Sequence, residues 1–241
     1  VPDMLTVNSD FGNIESVQVL KGPQGALYGR NATGGAILIT TAAPSEYWTG
    51  RFGASYADFN EYSLSGTVSG PLSDKLGLSL SAYVRESDGY IRLSSPTTLG
   101  ETVGDAAPLT QNSFRAKLAY RPSATVKIDL GYNYNLNDDG RGNLYTPIAY
   151  APASVGTPPS YAQNMTEKSY NGKGVNEGVA NEGTLKISFE TGLGEIVSYT
   201  GYAQRELTQI FDFDGSYRDL TTIDVFTTID TFQQSLVYNI D

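Results

Sequence analysis

The sequence predicts a membrane all-β fold, an antiparallel transmembrane β-barrel of which about eight strands are present, preceded by part of a small α+β unit. Three observations carry this reading. From about Pro44 onward, apolar and polar residues alternate with a period of two in segments of roughly ten residues, the length a tilted strand needs to cross a bilayer. The connections between these segments are mostly alternately short and long, as a barrel with two unlike ends requires. Only 39% of the 241 residues are hydrophobic, yet 17 are tyrosine, a β-favouring composition whose rings suit a wet interface. No run of about 18 apolar residues occurs, which excludes a transmembrane helix and leaves strands, since these show lipid only half their side chains.

The first element is the compact segment from Ile14 to Thr41. Glu15 to Leu20 reads as a strand with Val17 and Val19 on one face, and Ala36 to Thr41 as a second. Between them Gly22, Gly25, Gly29, Gly34 and Gly35 permit positive φ and close backbone approach in a folded loop. A phosphate-binding loop does not fit: there is no G-x-x-x-x-G-K-[ST], and the glycines do not give G-x-G-x-x-G ahead of a long helix.

The barrel strands follow in order. Arg51 to Phe59 is the first, then Tyr62, Leu64, Gly66 and Val68 face one way while Ser63, Ser65, Thr67 and Ser69 face the other. After the turn Gly70 to Asp74, Leu76, Leu78, Leu80, Ala82 and Val84 alternate with Gly77, Ser79, Ser81, Tyr83 and Arg85. Phe114, Ala116, Leu118 and Tyr120 alternate with Arg115, Lys117 and Arg121, and Val126, Ile128, Leu130, Tyr132 and Tyr134 with Lys127, Asp129 and Asn133. Leu185, Ile187 and Phe189 oppose Lys186, Ser188 and Glu190. Glu195 to Glu206 is less regular, and Phe232, Leu236, Tyr238 and Ile240 close the series. The apolar sets are expected to face lipid, and Ser65, Thr67, Ser79, Ser81, Lys117 and Lys127 the lumen. Short turns (Gly70 to Asp74, Arg121 to Thr125, Gly192 to Gly194) belong on the periplasmic side, and long loops (Asp88 to Gln111, Asp139 to Asn181, Ile210 to Thr228) outside. The terse Asp58 to Glu61 connection is the exception among the outer ones.

Composition narrows function. The net charge is −10 with basic residues scattered singly, which argues against nucleic acid as a partner. Cysteine and histidine are both absent, so disulfides, thiol nucleophiles and the usual serine triad are not available, and no enzyme, cofactor or metal centre is expected. Asn135, Asn137, Asp139 and Gly140 echo the start of a calcium loop, but its twelfth position is Thr146 instead of glutamate, and solvated turns explain them better.

The segment Leu20-Lys21-Gly22-Pro23, Leu27-Tyr28-Gly29-Arg30 and Gly34-Gly35-Ala36-Ile37 resembles the C-terminal half of the plug of TonB-dependent outer-membrane receptors, with Leu38 where that family most often has asparagine. The resemblance covers about 30 residues by motif, and Phe211-Asp212-Phe213-Asp214-Gly215 adds a softer match to a loop of iron-acquisition members. It implies that residues 1–44 are the C-terminal part of a plug and 45–241 the N-terminal part of a barrel of about 22 strands, with the first half of the plug and the energy-coupling box outside this chain. It also implies location in the bacterial outer membrane among its lipids. The implied function is active uptake of a scarce nutrient, a small-molecule ligand expected to be an iron complex such as a ferric siderophore, driven by a TonB-type periplasmic energy-coupling protein. Cobalamin, haem, nickel complexes and oligosaccharides use the same architecture. A passive porin or adhesin barrel is the competing class, and the plug-like unit separates the two.

The plug-motif residues Gly22, Pro23, Gly25, Leu27, Tyr28, Gly29, Arg30, Gly34 and Gly35 are the first candidate site. The family joins plug arginines to barrel carboxylates, which implies a carboxylate partner for Arg30: Asp129, Glu190 and Glu206 are the lumen-facing ones available in this fragment, a carboxylate on strands outside it is open as well, and a solvated arginine in a water-filled lumen is the competing reading. Tyr145, Tyr150, Tyr161 and Tyr170, interleaved with prolines in the longest loop, form the second candidate. Their rings either stack on a ligand or pack the loop against its neighbours, and the sequence leaves both open.

Overall fold

The computed structural model describes residues 14–23, 34–89, 91–94, 102–106, 108–139, 167–168, 175–212 and 222–240. Strands β1 (Ile14–Lys21) and β2 (Gly35–Thr41) pair antiparallel, with Val17 opposite Ile39 and Lys21 opposite Gly35. Both strands expected in the plug-like unit are present, and 24–33 between them lie outside the described residues.

After a short connection the chain forms β3 (Thr49–Tyr56), β4 (Tyr62–Ser73), β5 (Leu76–Ser87), the short β6 (Ile91–Ser94) and β7 (Thr102–Ala106), and then β8 (Leu109–Tyr120) and β9 (Val126–Asp139). The short β10 (Glu167–Lys168) precedes β11 (Val175–Thr191), β12 (Gly194–Asp212) and β13 (Thr222–Ile240). Eight of these strands build one antiparallel meander in the order β3-β4-β5-β8-β9-β11-β12-β13. The three short ones form a separate sheet in which β6 pairs with β7 and with β10, so two of the long connections meet through backbone pairing.

Directly paired residues in an antiparallel sheet lie on one face. The row Val68, Leu80, Ala116, Tyr132, Gly183, Tyr202 and Phe232 therefore shares a face across seven strands. The adjacent row Ser69, Ser79, Lys117, Gly131, Thr184 and Gly201 shares the other. All ten residues assigned to lipid (Tyr62, Leu64, Val68, Leu78, Leu80, Leu118, Ile128, Leu130, Ile187 and Phe189) fall on the first face, and all six assigned to the lumen fall on the second.

Burial is inverted relative to a water-soluble domain. Ser69, Ser79, Gln111, Asn135, Asn137 and Ser188 are buried, and all stand on the second face, while Ala180 is the single buried apolar residue among the described residues. Phe52, Leu64, Phe114, Leu130, Ile187, Phe189, Phe232 and Leu236 are exposed on the first face. That arrangement suits a wall with hydrocarbon outside and a polar interior.

Several boundaries differ from the sequence reading. The first barrel strand spans Thr49–Tyr56 instead of Arg51 to Phe59, because Phe59 and Asn60 take φ of 63° and 52° and turn the chain there. The predicted turn at Gly70 to Asp74 is mostly strand: β4 runs through Pro71 to Ser73, with a register shift between Pro71 and Ser73, and only Asp74 and Lys75 turn. Proline is tolerated beside such an irregularity, where the ladder is already interrupted. On the outer side β11 begins at Val175 and β13 at Thr222, ten residues before Leu185 and Phe232 respectively. Above the bilayer both faces meet water, so the ladder continues while the hydrophobic alternation that marks it disappears.

Candidate functional site

The site is the region where the β1–β2 hairpin meets the second face of the sheet. Lys117, in β8, donates from Nζ to the Thr41 carbonyl at 3.1 Å, the Ala42 carbonyl at 3.2 Å and Thr41 Oγ1 at 3.5 Å. This contact fixes the polar face as the inside of the wall, because the hairpin lies against it. A groove of about 640 Å³ opens between the end of β2 and the wall, lined by Ile39, Thr41, Lys117, Asp129, Lys186 and Tyr199 among others.

The wall around the groove is charged and largely self-paired. Arg121 reaches Asp129 at 2.7 Å, and Arg205 reaches Glu182 at 2.6 Å. Lys127 pairs with Glu190 at 2.6 Å near the inner turns, and Arg85 grips Glu61 through Nε and Nη2 at 3.1 and 2.9 Å nearer the outer end. Asn133 Oδ1 and Asn135 Oδ1 are buried without a hydrogen bond, so acceptors face the groove as well as charges.

From Ala42 the chain leaves the hairpin along the inner rim. Pro44 covers Gly77 so closely that a Cβ there would come within 2.8 Å of the proline Cβ. The Ser45 amide donates to Ser69 Oγ at 2.9 Å, and Thr49 Oγ1 donates to the Ser69 carbonyl at 3.3 Å. Trp48 then lies across Gly70, where an added Cβ would come within 2.5 Å of the indole. Gly70 belongs to the outer face and Gly77 to the inner one, so the segment passes from lumen to lipid side around the edge of the sheet. Sequence reasoning missed these contacts. Gly77 inside a strand was the available signal, since such a glycine marks close approach of another part of the chain, while Gly70 was read as the start of a turn.

Of the predicted plug-motif residues, Gly22, Pro23, Gly34 and Gly35 are described. Gly22 and Gly35 take φ of 85° and 146°, and a Cβ on Gly35 would fall 2.4 Å from the Leu20 carbonyl oxygen, so glycine is required there. Gly25, Leu27, Tyr28, Gly29 and Arg30 lie outside the described residues, as do Tyr145, Tyr150, Tyr161 and Tyr170. Of the carboxylates considered for Arg30, Asp129 and Glu190 stand on the lumenal face but already hold Arg121 and Lys127. Glu206 is corrected: its register with Val179 and Leu136 puts it on the outer face, beyond reach from the lumen.

Residues 4–36 match the TonB-dependent receptor plug domain family. The pesticin receptor of Yersinia enterocolitica is 34% identical over 97 residues, 40% of this chain and 14% of that protein. The iron-regulated outer membrane virulence protein of Vibrio cholerae is 36% identical over 81 residues, covering 31% of this chain and 12% of its own length. Among solved structures, the ferric yersiniabactin uptake receptor FyuA of Yersinia pestis superposes with a TM-score of 0.71 at 17% identity, over 93% of this chain and 33% of that one. The chain thus spans about a third of the receptor whose fold it shares, and a smaller part of the curated relatives it matches.

Proposed function

We propose that this chain, part of a TonB-dependent receptor of the bacterial outer membrane, serves energy-driven uptake of a ferric siderophore, with residues 1–44 acting as the end of the plug and 45–241 as the start of the barrel. The observation that carries the reading is the plug signature at 4–36 continuing into a hairpin seated on the lumenal face of an outer-membrane-type sheet. A passive channel has no use for a folded unit inside its bore. Iron is favoured as cargo because relatives named for iron regulation and for ferric yersiniabactin uptake stand among the similar proteins.

In this reading the ligand binds at the outer mouth, where Tyr145, Tyr150, Tyr161 and Tyr170 supply rings, and a TonB-type periplasmic protein pulls on the plug. A wall already paired with itself through Arg121–Asp129 and Arg205–Glu182 leaves the plug movable, since displacing it strands few buried charges. A second cargo has a specific observation behind it: the vitamin B12 transporter BtuB of Vibrio vulnificus is 30% identical over 105 residues.

The test uses the full-length receptor in cells lacking other iron receptors. Uptake of radiolabelled ferric siderophores should be abolished by dissipating the proton gradient, while binding to the cell surface persists. Uptake of labelled cobalamin instead would replace the cargo, and uptake insensitive to the gradient would replace the mechanism.

A further inference from the structure

Between the hairpin and the sheet the chain is fastened at successive points: Thr41 and Ala42 to Lys117, Pro44 to Gly77, and Ser45 to the buried Ser69. Lys117 differs from the others in carrying charge and in reaching across from a strand three positions into the sheet. Its ammonium has three donors, and three oxygens of two adjacent residues take them. Two of these acceptors are backbone carbonyls, so the grip is on the chain itself at the exit of β2. Hydrogen bonds from an ionised donor are the stronger kind, and a pull on the hairpin loads this contact before it reaches the neutral ones behind it. Asp129 and Glu15 are the acidic groups whose charge acts on Lys117, with Arg121 and Lys186 opposing them.

We propose that Lys117 is a positioning residue that holds the C-terminal end of the plug on the barrel wall throughout the transport cycle, making Thr41–Ala42 the pivot about which the rest of the plug is displaced. The proposal rests on the uptake reading and deepens it. A pivot differs from a latch: the contact stays closed while transport proceeds. Because the segment beyond it is already part of the rim, an open Lys117 contact would let applied force run into the first barrel strands instead of into the plug.

The experiment uses the full-length receptor, with heat-modifiable migration confirming a folded barrel for every variant. Lys117→Gln should lower gradient-dependent uptake at least fivefold with surface binding within twofold of the parent, and Lys117→Arg should keep more than half. A Pro44→Cys/Gly77→Cys pair sets two Cβ atoms 2.8 Å apart, so the rim segment must lift by about 1 Å to reach the Cβ separation of a disulfide. In its oxidised form the otherwise native receptor should still transport within twofold, and the same bridge should restore uptake to Lys117→Gln. Loss of uptake on oxidation, regained with reductant, would make the contact a latch and overturn the pivot, as would normal uptake by Lys117→Gln. Should the parent receptor import no iron complex, the uptake reading fails on its own. The clamp is then read by maleimide labelling of the half-buried Ala42→Cys from the periplasmic side, which should rise severalfold with Lys117→Gln and not with Lys117→Arg. Equal labelling in all three overturns it.

Discussion

Gly35 and Phe59 show how differently single positions tolerate a left-handed backbone. Gly35 has φ of 146° and no room for a Cβ, which would sit 2.4 Å from the Leu20 carbonyl. Gly35→Ala should therefore cost on the order of 1–3 kcal/mol in backbone strain before the overlap is counted. In cells carrying the full-length protein the expected result is greater passive entry of a bulky antibiotic at unchanged barrel abundance, and an unaltered antibiotic sensitivity would refute the hairpin's role in filling the bore. Phe59 keeps a φ of 63° without being glycine because its surroundings hold it. Its carbonyl accepts from the Asp88 amide at 3.1 Å, and Asn60 beside it donates from Nδ2 to Asp88 Oδ2 at 2.5 Å while accepting from Tyr56 at 3.0 Å. Gly35 was legible in the sequence as part of a motif. The Phe59-Asn60 turn was visible only as a short connection, since asparagine tolerates positive φ but phenylalanine before it does not announce the second such residue as Asn-Gly would.

At the scale of the strand, the period-two pattern assigned the faces of β4, β5, β8, β9 and β11, because each crosses a medium that tolerates only one kind of side chain outward, whereas on the less regular β12 Glu206 was expected on the wrong face. The extents were not legible. β11, β12 and β13 are 17, 19 and 19 residues long, well beyond the roughly ten a bilayer needs, and their outer halves carry polar residues on both faces. Tyrosines mark the transition: Tyr132 donates to Asn181 at 2.8 Å, Tyr202 to Asp230 at 2.9 Å and Tyr62 to Glu86 at 2.5 Å, ring toward hydrocarbon and hydroxyl toward polar neighbours. A cysteine-attached fluorophore at Leu78, Leu130 or Ile187 of the full-length protein should be quenched strongly by a lipid-phase quencher, and one at Ser79, Ser81 or Lys127 should not. Quenching of equal strength at both sets would reverse the face assignment. Gly194 gives the turn-level test: a Cβ there would fall 2.0 Å from the Asn239 carbonyl oxygen at φ of 142°, so Gly194→Ala should loosen the β12–β13 pairing and lower the temperature at which heat-modifiable migration is lost.

For the molecule as a whole, the described sheet has two free edges, β3 and β13, and almost no apolar core to hold it together. Its apolar side chains point outward, with Phe226, Phe232, Leu236 and Ile240 at least 70% exposed along β13. Lipid covers such side chains, but it supplies no partner for the amides and carbonyls of an open strand, and each unpaired group in hydrocarbon costs on the order of several kcal/mol. A sheet of this kind is stable only when its edges meet further strands or each other. The 241-residue chain refolded by itself into detergent or lipid is therefore expected to give edge-paired oligomers or aggregate instead of a monomer resistant to unfolding in SDS. The alternative is closure of β3 directly onto β13. Eight strands suffice for a small barrel whose interior is filled by side chains, but here the inner face already carries the β2 exit on Lys117, Pro44 on Gly77 and the ion pairs Arg121–Asp129 and Arg205–Glu182. A bore narrowed to that diameter would have to expel the hairpin and strip water from those charges. Size-exclusion with light scattering and semi-native electrophoresis decide between the outcomes: a monomeric, heat-modifiable product from the isolated chain would show that the sheet closes on itself and that the hairpin is dispensable to it.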